Sequence, residues 1–325
     1  MVCRPERASP PATFSCGPLV LLTVGMWHAR GAVQRAGLVA AAIRGYRRGM
    51  ENLLRHIASV NDATLPGGRI AFFLGAEQVG WMRPTLAEAV AAFDGVHHGA
   101  GGVVLDDAAA LPGMARALAE RGLMRFRREA FDVRAAPDGP VLSTIDRGAL
   151  PAFGIEAQGI HLDGLVRKAG TTGAGGLHIW IARRLRTKAL DPGKLDHIVA
   201  GGMPAGHGPA ETLVKEAAEE AAMPEWLARR AVHTGIIRYA MERPEGLRRD
   251  LLHCYEVELP EDFVPRAHDG EVESFTLWRL SDIAEAIRDS DDFKFNVSVV
   301  LAALLLRHGL FTGPDAARLA AALPR

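Results

Sequence analysis

The chain has 325 residues, 48% of them hydrophobic and 23% charged, with Lys plus Arg and Asp plus Glu at 38 each. That length accommodates two modest domains, and the charge balance excludes a global field drawing the chain to nucleic acid or to an anionic membrane. Three cysteines, Cys3, Cys16 and Cys254, lack metal-ligand spacing, which excludes a disulfide framework and leads to the expectation of a cytoplasmic protein.

The first fifty residues stand apart, with Arg4, Arg7, Arg30, Arg35, Arg44, Arg47 and Arg48 against one acid, Glu6. The apolar run 17–27 is shorter than the roughly 20 residues that span a bilayer, and no A-x-A cleavage pattern follows it. Residues 1–49 are therefore expected to be a disordered leader or a mis-assigned start, with Met50 opening the folded part. Organelle targeting is the minor alternative.

Residues 50–148 read as a small α+β domain. Helical spacing covers 52–60, short strands fit 69–74 and 78–82, and a helix fits 86–93. A strand at 102–105 precedes a helix over 111–121 closed by Gly122, and 130–134 reads as extended. His97 and His98 are adjacent, which suits a shared metal poorly, and the glycines after them suggest a loop.

Residues 149–325 change to strands around one loop and helix. Strands at 160–167 and 177–183 form a hairpin across the glycine-rich 170–176, and 197–200 is a short strand running into Gly201 and Gly202. A helix fits 209–222, with Pro209 in the first turn and Pro224 barring continuation. Strands resume at 235–239, 251–259 and 272–280, and helices over 283–288 and 295–307 lead into a helical tail. The apolar stretch 297–306 is too short to span a membrane.

The segment 201–223, GGMPAGHGPAETLVKEAAEEAAM, carries the chemistry. Glu216, Glu219 and Glu220 stand at i, i+3 and i+4, so on a helix their carboxylates share one side with Cβ atoms about 5–6 Å apart, and they repel. Lys215 is expected to point elsewhere, and Glu211, four residues earlier, to pair with it. A hard divalent cation relieves such a face, since Mg²⁺ takes oxygen ligands from one or two carboxylates together with substrate phosphates. Leu213, Val214, Ala217 and Ala221 mark the buried side. The glycine-rich loop, with Gly201 and Gly202, can bring backbone N–H groups to an anion at the helix N-terminus. Taken alone, E-x-x-E-E reads as a solvated acidic face; the strand, glycine-rich loop, helix and following strand reverse that reading.

This segment resembles the Nudix box, G-x5-E-x7-R-E-U-x-E-E-x-G-U. Gly201, Glu216, Glu219, Glu220 and Met223 match, while His207, Lys215, Ala217 and Ala222 depart from it. Further stretches, among them GIHLDGLVR at 159–167, GKLDHIVAGGMP at 193–204, ELPEDF at 258–263, DGEVESF at 269–275 and FKFN at 293–296, resemble the Nudix proteins related to thiamine pyrophosphokinase, with their accompanying N-terminal domain. The resemblance implies an α/β class chain, a Nudix α/β/α sandwich with a mixed sheet preceded by a small α+β domain. It also implies Mg²⁺-dependent hydrolysis of a diphosphate linkage, that of thiamine diphosphate or its oxidised analogues.

On that reading Glu216, Glu219, Glu220 and Glu271 hold Mg²⁺, with Mn²⁺ as a substitute, and Glu219, Glu220 and Glu273 are catalytic. Alternation along a strand puts Glu271 and Glu273 on one side. Gly201, Gly202, Arg183 and Lys188 are the substrate-binding candidates, although Arg183 and Lys188 also fit an ordinary solvated surface. Trp81 and Trp180 suit core packing better than ring stacking on a ligand, and Cys254 reads as a buried apolar residue. A general nucleoside-diphosphate-X hydrolase and a non-catalytic Nudix-fold binding module are the alternatives. The expected partner is a small-molecule diphosphate, with no nucleic acid or membrane, and a homodimer is left open. The N-terminal domain is expected to cover the mouth of the site and contribute to recognition of the base or thiazole.

Overall fold

The strand expected over 160–167 runs from Glu156 to Arg167 and is buried along most of its length, the condition of a strand with layers on both of its faces. The computed structural model describes residues 49–268 and 270–324, so the leader lies almost wholly outside the described residues. Helix α1 spans 49–60, followed by β1 Ile70–Leu74, β2 Glu77–Met82, α2 Pro84–Ala91, β3 Val96–Gly99, β4 Gly102–Leu105 and α3 Leu111–Glu120. Next come β5 Ala130–Val133, β6 Ser143–Asp146, α4 Leu150–Phe153, β7 Glu156–Arg167, β8 Leu177–Arg184, β9 Leu195–His197 and β10 Val199–Gly202. The remainder is α5 Pro209–Ala221, α6 Glu225–Ala228, β11 Val232–Arg243, β12 Gly246–Leu259, β13 Val272–Arg279, α7 Leu280–Asp289, α8 Val297–Arg307 and α9 Gly313–Ala322.

A four-stranded sheet in the order β2-β1-β4-β3 organises the first part, with β1 and β4 parallel and the outer pairs antiparallel. Its core gathers Phe72, Val103, Leu105, Leu111 and Leu118 around Phe153 of α4, whose ring lies 5.2 Å from that of Phe72. His97 and His98 belong to β3, and the loop expected after them is the turn at 100–101 that leads into β4. β5 and β6 form a separate hairpin.

The second sheet runs β11-β12-β7-β8-β13, with β10 added to β7 and β9 to β8. β12 and β7 are parallel and the other pairs antiparallel, so the sheet is mixed, as expected. On one face Leu213, Ala217 and Ala221 of α5 pack on Ile160, Leu162 and Val166 of β7. On the other, Ile179, Ile181 and Leu252 meet Leu301 and Leu304 of α8, Ile283 of α7, and Met50, Leu53 and Ile57 of α1. Helices on both faces make the expected α/β/α sandwich. Sequence spacing had put α1 with the first sheet; its apolar side instead completes the core of the second. Cys254 is buried in β12, its thiol pushed up to about 12 by burial. Among the described residues no helix is long and apolar enough to cross a membrane.

Candidate functional site

β10 ends at Gly202, and a loop through Gly208 leads into α5 with Pro209 in its first turn, where its missing N–H costs nothing. Glu211, in that turn, accepts a hydrogen bond from the backbone N–H of Gly208 at 3.1 Å. It thus caps the helix and does not pair with Lys215. The helix ends at Ala222 in the left-handed region, φ 50°, with the Met223 N–H donating to the Ala217 carbonyl at 3.0 Å. That is a glycine conformation, and an L side chain there costs about 1–2 kcal/mol. Ala222→Gly should therefore raise the melting temperature with activity kept; calorimetry showing a lower value would contradict the strain.

Within α5 the three glutamates have different surroundings. Glu220 is 8% exposed and accepts the Ala200 N–H at 2.8 Å. Burial pushes its carboxyl well above the usual range, against the Ala200 hydrogen bond, and Asp196, Glu216 and Glu271 add to the rise. Glu216 is half-buried and raised by burial, with Lys215 working against the shift. It lies across Gly201 so closely that a Cβ there would sit 2.4 Å from the carboxylate carbon, so position 201 admits only glycine without displacing the acid. Glu219 is exposed.

Lys215 does not point elsewhere. Its Nζ donates to Glu219 at 2.6 Å and to Glu216 at 3.1 Å, so a cation sits on the acid face. Partial burial works against the ammonium, yet these two bonds outweigh it and raise its pKa.

Glu271 lies just before β13 and pairs with Lys188, close enough to Glu216 and Glu220 to raise both carboxyls. Strict alternation does not hold between Glu271 and Glu273. The β13 register slips between Val272 and Ser274 opposite Arg184 and Arg183, an irregularity that re-aims the residue between them, and Glu273 is exposed there. Arg183 donates to the Gly193 carbonyl at 2.9 Å. Gly202 faces Phe131, whose ring a Cβ would meet at 2.6 Å.

The donors around α5 suit a hard divalent cation: carboxylate oxygens only, two of them desolvated and mutually repelling. Among the described residues no three such groups are drawn into a closed metal cage. Mg²⁺ bound through one or two carboxylates plus phosphate oxygens requires no such cage.

Gly201 and Gly202 also line a cavity of about 110 Å³. Six basic residues reach it: Arg125, Arg127 and Arg147 from the first part of the chain, and Arg248, Arg249 and Lys294 from the second. Its floor is polar and buried. Asn296 approaches His161 at 3.4 Å and the Tyr239 hydroxyl at 3.3 Å, and that hydroxyl donates to Asp250 at 2.5 Å. Among the described residues, His161 Nδ1 and Asn296 Oδ1 have no hydrogen-bond partner. Burial holds the His161 imidazole well below its ordinary pKa, and His197 adds to that. Beside the cavity, Asp196 accepts from Arg184 at 2.8 Å and lies 3.5 Å from the Lys294 ammonium. Sequence reasoning gave these residues no shared role because they come from widely separated segments. The visible signal was the resembling stretches that hold some of them, His161 in GIHLDGLVR, Asp196 in GKLDHIVAGGMP, and Lys294 and Asn296 in FKFN.

A family described as a domain of unknown function (DUF4743) matches residues 52–157. Nudix hydrolase 20, chloroplastic, of Arabidopsis thaliana is 38% identical over 211 residues, covering 65% of this chain and 55% of that protein. Nudix hydrolase 24, chloroplastic, of the same plant is 40% identical over 185 residues, covering 57% and 49%. The chain thus spans about half the length of these relatives. DR0079 of Deinococcus radiodurans, a solved structure, aligns at TM-score 0.41 and 19% identity over 54% of this chain and 98% of its own. The cytoplasmic expectation is corrected by the two plant relatives, whose names are chloroplastic and point toward an organelle.

Proposed function

We propose that this chain, which belongs to the Nudix superfamily by its likeness to the two plant proteins, hydrolyses a diphosphate linkage in a divalent-metal-dependent reaction. The observation that carries the reading is the acid face of α5, where Glu216 and Glu220 are held half-buried and buried beside Gly201 and Ala200. Glu216, Glu219, Glu220 and Glu271 are the residues that would hold the cation, Mg²⁺ or Mn²⁺. When bound, it neutralises charge on the phosphate oxygens.

The chain's own contributions are positional and electrostatic. Gly201 leaves the space that Glu216 fills, and the Ala200 N–H fixes the direction of Glu220. Water attacks one phosphorus, the bridging oxygen leaves with the bonding electrons, and a carboxylate receives the proton. Glu219, exposed and held by Lys215, is the base assigned to that step, and Glu273 is the reserve. Thiamine diphosphate and its oxidised analogues are the proposed substrates, on the resemblance of GIHLDGLVR, DGEVESF and FKFN.

Phosphate release by the purified full chain, with Mg²⁺ and with thiamine diphosphate, oxothiamine diphosphate or ADP-ribose, tests both levels. The expected result is turnover of the thiamine compounds that falls about 10²–10³-fold in Glu219→Gln. Turnover of ADP-ribose alone would keep the hydrolase and discard the thiamine substrate. A Glu219→Gln enzyme as active as the parent would overturn the assignment of the site.

A further inference from the structure

The cavity beside Gly201 and Gly202 is charged in a way that the acid face of α5 does not explain. Arg125 and Arg127 make no side-chain hydrogen bond or ion pair among the described residues, although both line it. Arg147 donates to Glu129 at 2.9 Å, and Arg248 donates to Asp250 at 2.6 Å. Partial burial lowers the Arg127 pKa, and Arg147, Arg125 and Arg248 lower it further, so the four guanidiniums crowd one another.

The crowding is built and not incidental. Asp146 is 8% exposed, and its carboxylate accepts the backbone N–H groups of Arg127 and Gly148 at 2.8 Å each and of Glu129 at 3.2 Å. One buried acid therefore pins the loop that presents the arginines. Like-charged side chains held together at a cavity favour an anion, and guanidinium forks match phosphate oxygens. Nδ1 of His161 and Oδ1 of Asn296, unpartnered among the described residues, show that the buried floor also has hydrogen-bonding capacity to offer.

We propose that Arg125, Arg127 and Arg147, supplied by the segment of unknown function, join Arg248 in a subsite for the free terminal phosphate of the substrate. The substrate class is then an organic diphosphate monoester. This rests on the hydrolase reading, because the cavity shares Gly201 with Glu216 and so continues from the place where the diphosphate would be held. About 110 Å³ is small for a whole ligand and suits a phosphoryl group. A diphosphate esterified at both ends has no free phosphate to insert. A thiazolium cation is repelled by the arginines, so the phosphate end enters and such a ring stays outside.

The test is isothermal titration of inorganic phosphate into the full chain in a chelator. The proteins compared are the parent, Arg127→Gln, Arg147→Gln, Glu219→Gln, and Arg116→Gln as a surface control on α3. Circular dichroism melts verify that each is folded. The parent, Glu219→Gln and Arg116→Gln should bind alike, and the two cavity variants about tenfold or more weaker. Phosphate binding absent from the parent, or unchanged in both folded cavity variants, would overturn the subsite. Arginine-dependent binding without turnover of any diphosphate would uphold the anion site and sink the hydrolase reading instead. In the active enzyme, Arg127→Gln should raise KM for a diphosphate monoester more than for ADP-ribose; equal effects would remove the preference for a monoester.

Discussion

Glu220→Gln should lower kcat/KM on the diphosphate substrate about 10²–10³-fold while leaving the metal-free protein at least as stable as the parent. The amide keeps the acceptor that the Ala200 N–H needs and loses only the charge. In the parent that charge is costly. The folded-state pKa of Glu220 lies well above the ordinary 4.5, chiefly through burial. The folded state therefore holds the proton more tightly than the unfolded chain does. The stability this contributes is complete below about 4.5 and is lost as pH rises through the raised value. Thermal melts in a chelator from about pH 5 to 8 should fall with pH in the parent and fall less steeply in Glu220→Gln. Added Mg²⁺ should recover the parent at the alkaline end, because binding requires the ionised carboxylate. Parallel melting curves for the two proteins would show that Glu220 is not the group that titrates.

Much of this site was legible because it is local. Glu216, Glu219 and Glu220 share one side of a single helix, a relation that a period of 3.6 residues imposes without knowledge of any other segment. Gly201 was read as bringing a backbone N–H to an anion, whereas the close neighbour in the structure is the Glu216 carboxylate. Sequence reasoning fails first with Lys215. A helix wheel separates 215 from 216, yet Lys215 and Glu219 are four apart, and the long stem reaches both acids. At Glu273 strict alternation is defeated by a register slip, which depends on the pairing of β13 with β8 and cannot be read from one strand.

The fold divides the same way. Most strands and helices have their own turn residues and periodicity, and they appear within a few residues of where pattern places them. β3 escaped notice because Val96–Gly99 is short and polar, and it is a strand only by its pairing with β4. Helix α1 was recognisable as a helix, but which sheet it covers depends on where the chain returns. The cavity was illegible for the strongest form of that reason. Arg127, Arg147, Arg248 and Lys294 are scattered basic residues in a neutral chain, and only tertiary structure turns them into one field.

Asp196→Asn is expected to be the most destabilising conservative change in this region, by about 3–5 kcal/mol, since it removes one side of a buried charge cluster. Asp196 is 4% exposed and stands between Arg184 at 2.8 Å and Lys294 at 3.5 Å. Burial alone would raise its carboxyl; Lys294, then His161 and Arg184, reverse this and bring it to about 2. Its stabilisation is therefore present above the ordinary 3.8 and lost as pH falls toward 2. At about pH 7 the asparagine leaves the Arg184 and Lys294 charges facing each other, and the melting temperature should drop by on the order of 10 °C. Asp196→Asn combined with Lys294→Met separates this cause from a packing defect, because it removes both signs of charge and should recover much of the loss. A double variant no more stable than Asp196→Asn would show that shape, and not charge, makes the position costly. Burial lowers the Lys294 pKa while Asp196 and Glu220 raise it, so the same ammonium connects the carboxylate that holds the fold with one assigned to the cation. With Asp196 neutral, more of that positive charge falls on Glu220, whose carboxyl should ionise at lower pH. The alkaline loss of stability predicted for the metal-free parent should then be smaller and complete at lower pH, and melts of Asp196→Asn in a chelator across the same pH range would detect it.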